Sequence, residues 1–154
     1  MKILSLDLAT KTGWAINKPR MSGVQTFEVK RGESPGMRFL RCRAWLNEIV
    51  SLVGKPDVIC YEQAHHKGGA ATACCVGLVT EVLAFAAEHS IEHMPVHTAK
   101  LKIFATGKGN AGKPAMIDAA KLMGWSPEDD NEADAQLLLE YAISEIVGID
   151  TIRK

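Results

Sequence analysis

At 154 residues, with 47% apolar and 23% charged positions, the chain is expected to fold as a single domain spanning residues 1–154 around one sizeable core. No apolar run is expected to reach the length of a membrane span, and the first residues read as strand rather than signal peptide. The 18 Lys/Arg and 18 Asp/Glu cancel, and the four Cys (42, 60, 74, 75) form no CxxC pair, so neither a zinc ribbon nor a disulfide framework is indicated and a reducing cytoplasm is expected.

Residues 3–8 (ILSLDL) make a short apolar strand that Asp7 interrupts near its end. An ionised carboxylate is costly there unless it meets a cation or a donor, so Asp7 is either a turn cap or a site residue. Thr10 to Gly13 are expected to form the turn, with Trp14-Ala15-Ile16 resuming the apolar character. Residues 24–29 alternate and predict a third strand, and 31–36 a loop. Residues 37–53 carry a helical apolar stripe opposite Arg38, Arg41 and Arg43, stopped by Gly54-Lys55-Pro56.

Val58-Ile59-Cys60-Tyr61 predicts a second buried strand, ending on Glu62. The Asp7 pattern is thus repeated. Residues 63–69 (QAHHKGG) read as a polar loop, 70–88 as a small-residue, apolar helix buried on much of its circumference, and 91–96 as a short strand. A helix over 98–105 carries Lys100 and Lys102. Residues 106–112 form a loop, 113–123 a helix with Pro114 in its first turn, and about 130–147 the last helix. The order predicts an α/β layer architecture with a mixed sheet.

Charge is segregated along the chain. Residues 11–43 hold eight Lys/Arg against Glu28 and Glu33, 98–113 hold four Lys and no acid, and 124–154 hold eight acids. Such a split suits a basic binding surface with a separate acidic focus. In the acidic stretch, N-capping accounts for Asp129 or Asp130 but not for Asp134, which lies inside the helix among Ala133, Ala135 and Leu137. Asp130 and Asn131 both share a helix face with Asp134, whereas Glu132 points elsewhere. Asp7, Glu62 and Asp134 together make a cluster that repels itself unless hard divalent cations neutralise it. All-oxygen ligands select Mg²⁺ or Mn²⁺, and two such ions per site would activate water against a phosphodiester.

ILSLDLATKTGWA, VICYEQAHH, KIFATGKGNAGKPAM and NEADAQLLLEYAI, in that order and spread over nearly the whole chain, resemble the motifs of the RuvC-type Holliday junction resolvases of the RNase H-like superfamily. The resemblance implies an RNase H-like fold, a mixed five-stranded sheet flanked by helices. It implies Mg²⁺-dependent, structure-selective endonucleolytic cleavage of branched DNA, above all four-way junctions, in DNA recombination and repair. It implies metal ligation by Asp7, Glu62 and Asp134, scissile-strand contacts from Lys102 and Lys113, and base stacking by His65. Lys11, His66, Lys67, Lys100 and Lys108 are the further expected DNA contacts. A C2 homodimer joined through the 70–88 helix suits a two-fold junction, in the cytoplasm of a bacterium or phage-infected host, with no membrane partner. One departure is that the family's fourth acid falls on Asn131, and Asp130 is expected to compensate.

Two other classes fit parts of the sequence: a catalytically weak junction-binding module, and an actin- or sugar-kinase-like ATPase fragment suggested by DLATKTGWA. Residues 107–113 match GxxxxGK, but Pro114 replaces the Ser or Thr of a nucleotide-binding loop, so a backbone-lined loop near a DNA phosphate is expected instead. His89 and His93 read as a surface pair, and Cys74-Cys75 as buried small residues.

Overall fold

The computed structural model describes residues 1–63 and 68–153, with side chains through 148. β1 (Ile3–Asp7) pairs antiparallel with β2 (Lys11–Asn17), which pairs antiparallel with β3 (Arg20–Thr26). On its other side β1 pairs in parallel with β4 (Val58–Glu62), and β4 with β5 (Glu92–Val96), so the sheet order is β3-β2-β1-β4-β5. The expected mixed five-stranded sheet is present.

Each face of this sheet has its own core. Leu4, Leu6, Ile59 and Tyr61 meet α1 (Met37–Val53) and α2 (Gly69–Glu88), which contribute Trp45, Leu46, Leu78, Val82 and Phe85. Ile3, Val58 and Cys60 face the opposite way, toward α3 (Thr98–Thr106), α4 (Lys113–Leu122) and α5 (Asp130–Arg153). Period-2 alternation therefore sends Ser5 and Asp7 in β1, and Glu62 in β4, to the face that α5 covers. Continuing the parallel register from Leu6↔Tyr61 sets Asp7 beside Glu62. Ser5 Oγ donates to the Ala135 carbonyl at 2.6 Å, and the small Ala133 and Ala135 are fully buried, so α5 lies close on β1.

Several expectations need correction. Residues 11–13 belong to β2, not to a turn: Gly13 pairs with Asp7 and is packed under α5. β3 runs from Arg20 to Thr26, about four residues earlier than the alternation of 24–29 suggests, because its register is set by pairing Asn17↔Arg20 through Lys11↔Thr26. Arg38, Arg41 and Arg43 do not form a free basic surface. Arg38 donates to the Phe27 carbonyl, Arg41 pairs with Glu33 at 2.6 Å, and Arg43 bridges Glu81 and Glu88 at 3.1 and 2.8 Å. His89 packs on Phe85 while His93 bonds the Tyr61 hydroxyl at 3.1 Å, so the two do not act as a pair.

α2 departs most from expectation. It is long and apolar enough, by length and composition alone, to cross a membrane, so the exclusion of any such run does not hold. It is also mostly unburied rather than buried around its circumference: Leu78, Val82, Phe85 and Ala86 face the core, while Ala73, Val76, Thr80, Ala84 and Ala87 form an exposed stripe. Cys74 and Cys75 are only partly buried, between these faces. Phe39 of α1 reaches α2 at Gly77, where a Cβ would come within 2.3 Å of the ring.

Candidate active site

The parallel ends of β1 and β4 and the start of α5 meet at one point. Carboxylate oxygens of Asp7, Glu62 and Asp134 lie within 4.8 Å of one another, each residue partly buried. α5 begins where Asp129 caps it, its Oδ1 accepting the Glu132 amide at 2.9 Å. Glu132 then turns away to accept from Ser22 Oγ and the Glu128 amide, tying α5 to β3. Asp134, two residues further on, is left facing the strand ends.

This grouping is electrostatically unfavourable on its own. Burial, then the charges of Glu62, Asp134, Asp130 and Asp129, raise the Asp7 carboxyl well above the usual range. Burial, then Glu62 and Asp130, push Asp134 up to about 7, with Lys102 and Lys113 pulling the other way. Carboxylates held together against such costs are suited to a cation, and an all-oxygen donor set suits a hard divalent one such as Mg²⁺ or Mn²⁺. The residues present therefore fit a divalent metal.

Beside the cluster is a cavity of about 330 Å³ lined by Glu62, Asp130 and Asp134 and also by Lys102 and Lys113. Lys102 comes from α3 and Lys113 from the first turn of α4, after the glycine-rich loop that Gly107 opens with a left-handed φ of 81°. Acidic and basic side chains thus line one space.

Of the other candidates, Asp130 lies on the cavity wall, with its Oδ2 3.5 Å from the Lys113 ammonium. The Asn131 amide instead leans toward Asp129, at 3.5 Å. Lys11 is engaged in a 2.7 Å ion pair with Asp129, which raises its pKa and, against the effect of burial, holds Asp129 below its ordinary value. Lys100 and Lys108 are exposed on the α3 side. His65, His66 and Lys67 lie outside the described residues. Two neighbours escaped the sequence reading. Ser5 seats α5 on β1, and its signal was a hydroxyl two residues before Asp7 in an apolar strand. Thr98 donates its hydroxyl to Glu62 Oε2 at 3.0 Å, for which the sequence carried no signal beyond a helix start.

No family model and no curated protein matches the sequence. Solved structures do match. A Thermus thermophilus RuvC structure aligns at 18% identity and a TM-score of 0.73 over 96% of this chain and 97% of that one. T. thermophilus RuvC in complex with a Holliday junction substrate aligns at 17% identity and 0.71 over 90% of each chain. The yeast mitochondrial Holliday junction resolvase Ydc2 aligns at 14% identity and 0.59, over 88% of this chain and 75% of that one.

Proposed function

From the RNase H-like fold that this chain shares with those structures, we propose that it is a divalent-metal-dependent, structure-selective endonuclease acting on branched DNA, with four-way junctions as its main substrate. The observation that carries this reading is the trio of Asp7, Glu62 and Asp134 within 4.8 Å, with Lys102 and Lys113 lining the adjoining cavity. Those three acids would hold the metal, Mg²⁺ with Mn²⁺ able to substitute and two ions per site, with Asp130 as the fourth acid. Bound divalent ions supply Lewis-acid stabilisation of the charge developing on the phosphate oxygens and make water a better nucleophile.

The chain's own residues do the rest. The Lys102 and Lys113 ammonium groups hold the scissile phosphate and add positive charge where the transition state gains negative charge. Lys100 and Lys108 extend that cationic edge along the backbone. Lys11 joins them by exchanging its bond to Asp129 for one to DNA. By the resemblance, His65 would stack on a base, and His66 and Lys67 would contact the DNA. The cut leaves 5′-phosphate and 3′-hydroxyl ends. The four thiols are unpaired, in keeping with a reducing bacterial or phage-infected cytoplasm.

Asp130 is the better compensation for Asn131, because it already lines the cavity. Asp130→Asn is expected to weaken Mn²⁺ binding and slow cleavage by about 10- to 100-fold. Asn131→Ala, read by the same Mn²⁺ titration, is expected to change both far less. The opposite ranking would move the fourth ligand to Asn131.

A four-way junction has two-fold symmetry, so a C2 homodimer is the economical assembly, with the Ala73–Val76–Thr80–Ala84 stripe of α2 as the contact. Val76 is 40% exposed on that stripe whereas Val82 is fully buried in the core. Val76→Arg is therefore expected to give a folded monomer by light scattering. An unchanged dimer would rule this face out.

The direct test is cleavage of a labelled synthetic four-way junction against linear duplex, in Mg²⁺, Mn²⁺ or EDTA. Metal-dependent paired nicks confined to the junction are expected. Tight junction binding without cleavage in either metal would favour the binding-module reading, which the neutral Asn131 in place of an acid motivates.

A further inference from the structure

We propose that Thr98 is a positioning residue for the Glu62 carboxylate, and through it for the divalent cation. This rests on the metal-dependent reading above. The Thr98 hydroxyl donates to Glu62 Oε2 at 3.0 Å from the first position of α3. That helix start is itself fixed, because the His97 Nδ1 caps it by accepting the Ala99 amide at 3.2 Å.

Glu62 needs such a restraint more than its two companions. It has one more rotatable bond than Asp7 or Asp134, and both of those carboxylates repel it from within 4.8 Å. A carboxylate offers about four acceptor positions, so one hydroxyl can hold it while leaving positions for a cation. A charge-assisted bond from a stiff, β-branched side chain is a suitable restraint.

Thr98 and Lys102 are also four residues apart on α3, share a face, and both line the cavity. One helix face therefore presents a donor to Glu62 and an ammonium to the space beside Asp134. Any shift of α3 would move both together, which couples the acid cluster to the cationic edge.

The test uses the full chain without DNA. Mn²⁺ binding is followed by the electron paramagnetic resonance signal of the free ion, alongside thermal melting in EDTA. Thr98→Val keeps the shape and removes the hydroxyl, and it is expected to weaken Mn²⁺ binding by about 10- to 100-fold. Thr98→Ser, which keeps the donor, is expected to restore wild-type affinity. Thr98→Ala carries the comparison if the Val variant melts lower. Wild-type affinity in both hydroxyl-free variants overturns the role of Thr98 alone, as does a Ser variant as weak as the Val variant. A wild-type chain that takes up no Mn²⁺ overturns the metal reading and this inference with it.

Discussion

Asp7→Asn is expected to lower junction cleavage by at least about a thousandfold and, in the same protein stripped of metal, to raise the melting temperature at pH 8. The two effects have one origin. Asp7 sits at the end of β1 with Glu62 and Asp134 within 4.8 Å, and burial plus those charges raise its carboxyl well above the usual range. Removing one charge relieves the repulsion that the native fold sustains, and it also removes a proposed metal ligand. Asp134 gives the scale: its carboxyl is pushed up to about 7 from an ordinary 3.8. A shift of that size corresponds to a destabilisation of about 4 kcal/mol once both states are ionised.

The sign of the pH dependence follows. Below pH about 4 both folded and unfolded chains carry the proton. As pH rises toward about 7, the unfolded chain releases it while the folded chain retains it at Asp134 and Asp7. The folded state then binds more protons, so stability falls with rising pH across that window. Metal binding needs the ionised groups and gains over the same range. Melting in EDTA at pH 5 and pH 8, with and without added Mn²⁺, checks this. The wild type should lose more stability between the two than Asp7→Asn, and Mn²⁺ should recover it only in the wild type. A wild type more stable than the variant in EDTA at pH 8 would refute the account.

The acids of β1 and β4 were legible because each ends a short apolar run, where a carboxylate has no core role. Asp134 was legible for a related reason: helix capping accounts for Asp129, which does accept the Glu132 amide, but has no use for an acid five residues on. Hydrogen-bonding register was less legible. Val24 to Val29 alternate as well as Arg20 to Thr26 do, and only the tight connection to β2 chooses between them. The exposure of α2 was hidden because apolar composition reports what a helix can bury, not how much of it this chain covers. Arg38, Arg41 and Arg43 counted toward a binding surface until their partners on other elements were known. The Thr98–Glu62 bond joins residues 36 apart, which no local pattern encodes.

Gly13→Ala should be the most damaging glycine-to-alanine substitution. A Cβ there would lie 1.9 Å from the Asn131 carbonyl oxygen and 2.4 Å from its carbon. Both neighbours are backbone, so no side chain can rotate away to make room. The obstruction falls where α5 crosses the β1–β2 hairpin. Gly13 pairs with Asp7 across that hairpin, and Asn131 is three residues before Asp134. Relief must come from lifting the start of α5 off the sheet, which would stretch the Ser5–Ala135 bond of 2.6 Å and the Lys11–Asp129 ion pair of 2.7 Å. Overpacking against rigid surroundings costs about 1–3 kcal/mol, and a backbone clash belongs at the upper end. The same displacement carries Asp134 away from Asp7 and Glu62, so the variant should lose Mn²⁺ affinity in whatever fraction remains folded. Urea unfolding and Mn²⁺ titration read the two effects separately. A variant with normal stability would show that α5 does not press on the hairpin at this point. One that is destabilised but binds Mn²⁺ normally would show that the position of Asp134 does not depend on that contact.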